Sequence, residues 1–159
     1  MTVRGAPDPA QEQPARIVEV GGKEVTDRLA VAECTLYTTP AAVAHLLEGT
    51  EKGKPIEAAR IAGILGVKRT PDLLPFCHPI AVTGAELAIE PDTAAGRIVV
   101  RATVRARDRT GVEMEALTGA AVAALSLYDT AKPFDRSASI GDLRLREKRG
   151  GKSGAYNAP

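Results

Sequence analysis

The segment that decides the fold runs from Arg97 to Asp108 and reads RIVVRATVRARD. Apolar and polar side chains alternate along it almost without a break, which is the pattern of a β-strand with one buried face. A turn-like stretch at 91–96 precedes it, and residues 80–90 alternate more loosely. We therefore predict a β-hairpin over residues 80–108, with an arginine-rich outer face that is either wet or covered by a partner.

Two more strands and three helices are predicted around this hairpin. Residues 28–38 and 140–147 are rich in apolar and β-branched residues, which favours strands. Helices are expected where apolar residues recur at helical spacing between capping and breaking residues. They are 41–48, which follows Thr39-Pro40 and stops at Gly49; 55–67, which Thr70-Pro71 ends; and 113–131, which Lys132-Pro133 ends.

The predicted order is β-α-α-β-β-α-β. Without the first short helix this is the βαββαβ arrangement, so we predict an α+β, ferredoxin-like fold with an antiparallel sheet and the helices packed on one face. Residues 1–15 hold three prolines and no periodicity, and are expected to be a disordered N-terminal tail. We expect residues 16–154 to form a single domain and residues 155–159 to be a C-terminal tail.

Composition narrows the possible classes of protein. In 159 residues, 21 Lys and Arg oppose 20 Asp and Glu, so a net charge of +1 does not predict binding to nucleic acid or a membrane surface. Aromatic residues make up 3%, which disfavours a protein that stacks single-stranded bases. No apolar run approaches the ~20 residues of a transmembrane helix, and residues 1–16 lack the apolar core of a signal peptide.

Cysteine and histidine are scarce. Cys34 and Cys77 lie far apart, and His45 and His78 are the only histidines, so we expect no structural metal site. The cysteine spacing allows a disulfide, but we expect a cytoplasmic protein with free thiols. Neighbours on an extended loop point opposite ways, so Cys77 and His78 are not expected to form a nucleophilic dyad.

Basic side chains concentrate at the ends of the predicted elements, where binding residues are common. If these ends meet, they form a cationic pocket for a small polyanion despite the low net charge. The residues are Lys52, Lys68, Arg69, His78, Lys132, Lys148, Arg149 and Lys152.

Asp129 and Lys132 are three positions apart at the end of the predicted long helix. That spacing places both on one face, where a carboxylate and an ammonium tune each other's pKa and can transfer protons. An ordinary surface ion pair explains the same spacing, and spacing alone favours it. An aspartate near a helix C-terminus opposes the helix dipole, however, which favours a functional use.

Two further segments allow more than one interpretation. Glu113 and Glu115 suit the dipole at a helix start, or they recognise a guanidine-like edge. The segment GGKSG at 150–154 resembles the end of a P-loop, but the first glycine of that motif falls on Arg146 and no helix is predicted to follow. We expect either a frayed tail, which the segment alone favours, or a flexible loop that wraps a phosphate.

Three segments together resemble one family. They are Lys52-Gly53 with ARIAGILGVKRTPDLLPFCHPI (59–80), TGVEMEALTGAAVAALSLYD (110–129) with Lys132, and LRLREKRGGKSG (143–154). In this order, and over residues 16–154, the chain resembles the MoaC family, the cyclic pyranopterin monophosphate synthases of molybdenum cofactor biosynthesis. The resemblance implies conversion of 3′,8-cyclo-7,8-dihydroguanosine 5′-triphosphate to cyclic pyranopterin monophosphate, with release of pyrophosphate and no redox cofactor. It also implies a homohexamer, a trimer of dimers with sites at subunit interfaces.

The resemblance implies catalytic roles for Asp129, Lys132 and Lys52. Residues that it places at the substrate are Phe76, Cys77, His78, Glu113, Met114, Glu115, Lys68, Arg28 and Lys148. The family usually has aspartate and glycine where this chain has Lys54 and Cys34, and neither departure removes a catalytic group. The alternative is a non-catalytic ferredoxin-like module that binds nucleotides or RNA, against which the scarcity of aromatics on the strands argues.

Overall fold

The computed structural model describes residues 14–159, so most of the expected tail at 1–15 lies outside the described residues. The elements are β1 Thr26–Tyr37, α1 Pro40–Glu48, α2 Pro55–Leu73, β2 Val82–Asp92, β3 Arg97–Asp108, α3 Glu113–Ala131, β4 Ser139–Arg149 and β5 Tyr156–Asn157. The strands pair antiparallel in the order β2-β3-β1-β4-β5. The four long strands of this sheet, β1 to β4, have the ferredoxin-like arrangement, so the predicted fold class is confirmed.

The strand β3 has the bounds and the alternation that its sequence predicts. Its fully buried residues are Ile98, Val100, Ala102 and Val104. The helix α3 packs against this face of the sheet, on β1 and β3, and α2 packs against α3 and β2. The hydrophobic core therefore lies between one face of the sheet and the helices.

The helices α2 and α3 approach each other closely because glycines lie at their contact. A Cβ on Gly119 would come 2.7 Å from Cγ2 of Val67, and a Cβ on Gly63 would come 3.0 Å from the carbonyl oxygen of Gly119. Such distances are too short for packed carbon and oxygen atoms. The helices run antiparallel, so the loop before α2, which carries Lys52, lies beside Asp129 near the end of α3.

The helix α2 is longer than its sequence predicts. We expected Thr70-Pro71 to end it, but it continues to Leu73 with the proline inside. Thr70 is buried, and its hydroxyl donates a hydrogen bond to the carbonyl of Gly66 at 3.0 Å. The proline removes one backbone hydrogen bond, while the burial of this turn keeps it helical.

Strand boundaries differ from the prediction at both edges of the sheet. The strand β2 ends at Asp92 and includes Pro91, which an edge strand tolerates because one side of it needs no backbone partner. On the other side of the sheet β4 extends to Arg149. Tyr156–Asn157 then pairs with β4 as β5, where we expected a tail.

The outer face of the sheet carries a buried carboxylate held by arginines. Glu33, whose side chain is 12% exposed, accepts hydrogen bonds from Arg144 at 2.9 and 3.1 Å and from Arg101 at 3.4 Å. Burial opposes its ionisation, but the hydrogen bond from Arg144 and the charge of Arg146 outweigh burial and lower the pKa of Glu33. Tyr37 is the one aromatic residue in β1 and β3, so these central strands lack the stacked aromatics typical of RNA-recognition sheets.

Candidate active site

Two lysines hold one aspartate at the C-terminal end of α3. The Nζ atom of Lys132 lies 2.6 Å from Oδ1 of Asp129, and the Nζ atom of Lys52 lies 2.6 Å from Oδ2. Lys132 is the C-cap residue of α3, about one turn beyond Asp129. Lys52 arrives from the loop between α1 and α2. We call these three residues the lysine–aspartate cluster.

A tight turn positions Lys52. Thr50 and Gly53 exchange backbone hydrogen bonds of 2.8 and 3.0 Å, and the amide of Lys52 donates to Oγ1 of Thr50 at 3.2 Å. Gly53 has a φ of +101°, which a side chain would strain. The Lys-Gly pair of the sequence motif therefore has a structural reason. Lys54, one of the departures from the family, is the exposed N-cap residue of α2.

Asp129 and Lys132 each favour the charged form of the other, and Lys52 adds to the effect on Asp129. Hydrogen bonds, first from Lys132 and then from Lys52, lower the pKa of Asp129 from 3.8 to about 2. The same bond to Asp129 raises the pKa of Lys132. All three side chains are between 52 and 56% exposed, so solvent screens the attraction. The cluster brings two lysine side chains to one carboxylate, an arrangement that is chemically able to transfer protons and to bind phosphate.

A cavity of about 610 Å³ opens at the other end of α3. Its volume is in the range of small-molecule sites. The start of β1, the loop before α3, the end of β4 and the glycine-rich segment line it: Lys23, Glu24, Thr26, Arg28, Arg109, Thr110, Gly111, Glu113, Lys148, Gly151, Lys152 and Ser153. Five cations face two carboxylates there, so the cavity suits an anion. We call it the cationic cavity.

Lys148 connects three segments of the cationic cavity. Its Nζ atom lies 3.0 Å from Oε1 of Glu113 and donates to Oγ of Ser153 at 2.8 Å. Arg28 donates through Nε to the carbonyl of Asp108 at 3.1 Å, which orients its guanidinium on the cavity wall. The sequence-predicted residues Arg28, Glu113 and Lys148 therefore meet.

The glycine-rich segment is part of this wall, so the expectation of a frayed tail was wrong. Gly150 has a φ of +98° and Gly151 a φ of +79°, both in the left-handed region. A Cβ on Gly151 would collide with the guanidinium of Arg28, and a Cβ on Gly150 with the carbonyl of Asp27. Only glycine permits this approach. The segment leads into β5 and not into the helix that a P-loop requires.

His78 lines a neighbouring cavity of about 500 Å³, which shares Arg109 and Thr110 with the cationic cavity. The shared residues make the two cavities adjacent parts of one surface. Cys77 is partly buried, and its burial and the negative charge of Glu115 raise the pKa of its thiol. The thiol is therefore a poor nucleophile at neutral pH.

The first turn of α3 carries carboxylates on either side of Met114. Glu113 is paired with Lys148, whereas Glu115 is 2% exposed. Burial, and then the negative charges of Glu113 and Asp108, raise the pKa of Glu115. Met114 is 41% exposed and offers an apolar contact beside these carboxylates.

The predicted site residues form two groups at opposite ends of α3. Glu113 and Asp129 are sixteen positions apart on this helix, which is about 24 Å at about 1.5 Å per residue. The lysine–aspartate cluster is one group. The other contains Arg28, Cys77, His78, Glu113, Met114, Glu115 and Lys148, with Phe76 exposed in the adjoining loop. Lys68 is exposed on α2 and lines neither cavity described above.

Some cavity residues were missed in the sequence. Lys23 follows the predicted turn at Gly21-Gly22, and Arg109 comes directly before Thr110-Gly111 and the start of α3. A basic residue beside a glycine at a helix start is a sequence signal for anion binding, and Arg109 carries it.

Three general features of the described residues concern metal ligands, membrane-spanning helices and the state of the cysteines. Between residues 14 and 159 there is no group of three or more His, Cys, Asp or Glu that could hold a metal ion. In the same range no helix is long and apolar enough to cross a membrane. Both cysteines are free; Cys34 donates to the carbonyl of Ala120 at 3.3 Å, and burial raises its pKa to about 11.

The fold and the candidate site define a ferredoxin-like α+β protein with a cationic cavity at one end of α3 and a lysine–aspartate cluster at the other. This chain belongs to the MoaC family, to which residues 17–151 match. The resemblance of its motifs to that family is thereby confirmed.

Relatives named cyclic pyranopterin monophosphate synthase match most of the chain. The protein from Parvibaculum lavamentivorans is 50% identical over 145 residues, 91% of each chain. The protein from Geobacter sulfurreducens is 50% identical over 143 residues, 89% of each chain. The protein from Streptomyces griseus is 51% identical over 143 residues, which cover 89% of this chain and 80% of the relative. These are names of enzymes, so the chain belongs to a family of enzymes.

Proposed function

We propose that this protein is a cyclic pyranopterin monophosphate synthase of molybdenum cofactor biosynthesis. Its substrate is 3′,8-cyclo-7,8-dihydroguanosine 5′-triphosphate, and its products are cyclic pyranopterin monophosphate and pyrophosphate. The observation that carries the proposal is the lysine–aspartate cluster in a chain whose relatives bear that name. We class the enzyme as a lyase and place it in the cytoplasm, where reducing conditions keep its two cysteines free.

The cluster supplies proton transfer and electrostatic stabilisation. Asp129 is ionised and holds both ammonium groups, so it acts on the lysines and is itself a weak base. The bond to Asp129 raises the pKa of Lys132, which favours its protonated form. We therefore assign Lys132 the role of proton donor in the rearrangement, with Lys52 as the second catalytic lysine.

The cations of the site promote the closing phosphate step. In that step a hydroxyl oxygen of the rearranged sugar gives its proton to solvent and attacks the α-phosphorus. The bond from this phosphorus to the bridging oxygen breaks, and pyrophosphate leaves with the electron pair. Fixed positive charges stabilise both the attacked phosphate and the leaving group. Arg28 and Lys148 in the cationic cavity and His78 in the adjacent cavity bind the triphosphate. Lys68, which lies outside both cavities, is a further phosphate contact. Glu113 or Glu115 accepts hydrogen bonds from the guanine-derived amine.

The complete site is proposed to form between two subunits. The cationic cavity and the lysine–aspartate cluster are about 24 Å apart along α3 of one chain, so the two groups need a second copy to face each other. An isologous contact that places the cluster of one chain against the cavity of the next creates two equal sites per pair. This geometry supports a pair of chains, and the homohexamer, a trimer of dimers, is proposed from the family resemblance.

The activity is tested with enzymatically prepared cyclic dihydroguanosine triphosphate. Pyrophosphate release and the fluorescence of the oxidised pterin are followed with purified protein. Product formation by the wild-type protein supports the proposal. A folded oligomer that binds the substrate but forms no product overturns it and favours the non-catalytic nucleotide-binding module.

The shared site is tested by mixing two inactive variants. Lys132→Ala disables the cluster and Lys148→Ala disables the cavity. Random exchange of their subunits leaves about a quarter of the sites with both parts intact, so about a quarter of the activity returns. The matched control mixes Lys132→Ala with Asp129→Asn, whose defects lie in the same cluster, and recovers nothing. Equal recovery in both mixtures, or none in the first, contradicts the shared site.

A further inference from the structure

A third cavity of about 390 Å³ adjoins the lysine–aspartate cluster. Tyr128, Lys132, Pro133 and Arg136 line it. Because Lys132 belongs both to the cluster and to this lining, a group bound in the cavity lies directly beside the proposed proton donor.

The turn that carries Arg136 is anchored on both sides of that residue. The carboxylate of Asp135 accepts hydrogen bonds from the amide of Ser137 at 2.8 Å, from its hydroxyl at 2.6 Å and from Oγ1 of Thr38 at 2.8 Å. Phe134 stacks on His45 with ring centroids 4.3 Å apart and planes 15° from parallel. The backbone at Arg136 is therefore held in place before any ligand arrives.

The side chain of Arg136 has no role in these anchors. It is exposed, and within residues 14–159 its guanidinium forms no hydrogen bond or ion pair. Its neighbour Asp135 is already occupied by Thr38 and Ser137. By contrast Arg97, at the same end of the sheet, is bonded to Asp92. An arginine on an anchored backbone, with all its donors free and a lysine beside it, can donate two parallel hydrogen bonds to the oxygens of a phosphate group and complement its charge.

We propose that Arg136, next to Lys132, contacts the phosphate chain of the substrate from the side of the shared site opposite the cationic cavity, and holds the pyrophosphate as it leaves. This assignment rests on the proposed function and adds a binding residue to it. When the bond between the α-phosphorus and the bridging oxygen breaks, the electron pair passes to the pyrophosphate. The guanidinium stays protonated throughout and stabilises that charge without transferring a proton.

The test measures binding and turnover in Arg136→Ala and Arg136→Lys. Inorganic pyrophosphate is the probe for binding by calorimetry, and kcat/KM is measured with the triphosphate substrate. We expect Arg136→Ala to weaken pyrophosphate binding and to lower kcat/KM by about tenfold to a hundredfold, as for a lost charged hydrogen bond. Arg136→Lys recovers part of the loss because it keeps the charge without the fork.

Arg97→Ala is the matched control. It removes the same charge from the same end of the sheet, but its guanidinium is engaged by Asp92. It should bind pyrophosphate like the wild type. An equal loss of pyrophosphate affinity in Arg136→Ala and Arg97→Ala would show that only the net charge of the protein matters, which would overturn the assignment.

Two further outcomes separate this inference from the proposed function. If the wild type forms no product but pyrophosphate binding depends on Arg136, the proposed function fails and the phosphate site stands. If the wild type forms product and Arg136→Ala binds pyrophosphate normally, the assignment of Arg136 fails alone. A loss of activity that only follows a loss of oligomer mass also overturns it, because Arg136 then serves assembly.

Discussion

Each end of α3 carries a carboxylate whose pKa is shifted in the direction opposite to the one that the helix dipole favours. Glu115 lies in the first turn, where the dipole favours negative charge, yet burial raises its pKa. Asp129 lies in the last turn, where the dipole opposes negative charge, yet Lys132 and Lys52 lower its pKa to about 2. A surface dipole contributes only about 0.3–1 kcal/mol, so burial and direct hydrogen bonds decide both values.

The two ends also differ in how complete they are. Four segments of one chain enclose the cationic cavity, and glycines close its wall around Arg28. The lysine–aspartate cluster stands open, with side chains about half exposed. The cationic cavity can hold a ligand, whereas the lysine–aspartate cluster exposes its side chains without a pocket of comparable size. We therefore expect the activity to need both ends of α3, contributed by two chains.

The largest expected effect is at the open end. Asp129→Asn removes the charge that holds both ammonium groups, and an amide cannot accept from two cations as a carboxylate does. We expect kcat to fall by about 10²–10⁴-fold, because the lysines that transfer protons lose the carboxylate that holds them, with an unchanged thermal unfolding curve. Asp72→Asn is the control, since Asp72 is an exposed helical carboxylate paired with Arg69 three positions away. A similar loss of kcat in both variants would show that the position of Asp129 at the end of α3 has no special importance.

The enclosed end is tested by Gly151→Ala. The added Cβ collides with the guanidinium of Arg28 and a side chain is strained at a φ of +79°. We expect KM for the triphosphate to rise by about tenfold, because the cavity wall moves away from a charged contact. Gly154→Ala separates the two causes, since Gly154 has a φ of +73° but no atom within 4 Å of the added Cβ. A rise in KM of the same size in Gly154→Ala would attribute the effect to strain alone.

The raised pKa of Glu115 predicts how stability depends on pH. The folded state keeps this proton at pH values where the unfolded chain, with a pKa near 4.5, has lost it. The free energy of unfolding therefore falls as the pH rises from 4.5 through the raised pKa of Glu115. Glu115→Gln should remove the share of this pH dependence that Glu115 causes. At pH 7 we expect Tm to rise by about 2–4 °C, the shift for about 1 kcal/mol, while activity falls. The reference is Glu86→Gln, because Glu86 is an exposed carboxylate on β2. A Tm of Glu115→Gln below that of the wild type would contradict a destabilising buried charge at this position.

The smallest effect concerns the ranking of the two lysines. Removal of either one should raise the pKa of Asp129 from about 2 toward 3.8, and Lys132→Ala should raise it more than Lys52→Ala, because Lys132 is the larger cause. Carbon-13 NMR of the labelled aspartate carboxyl measures the shift directly. If the two variants gave equal pKa values, the cluster would be symmetric and the separate role of Lys132 would lose its basis.

Elements whose signals are local were predictable from the sequence. The alternation in β3 and the caps of α1 gave their bounds because neighbouring residues alone produce these patterns. The end of α2 was mispredicted because Thr70 is held by burial, which no local pattern reports. The pairing of Tyr156–Asn157 with β4 was also missed, since a two-residue strand has no periodicity.

The sequence by itself determined which functional groups are candidates for the site, because motif residues carry their functional groups wherever they lie. Their grouping was decided only by the tertiary structure. Lys52 meets Asp129 across 77 positions because glycines let α2 pack antiparallel on α3. The glycine-rich segment, which by itself suggests a frayed tail, becomes a cavity wall because its backbone fits around Arg28. Such contacts depend on distant parts of the chain, so the separation of the two ends along α3 is a property of the fold.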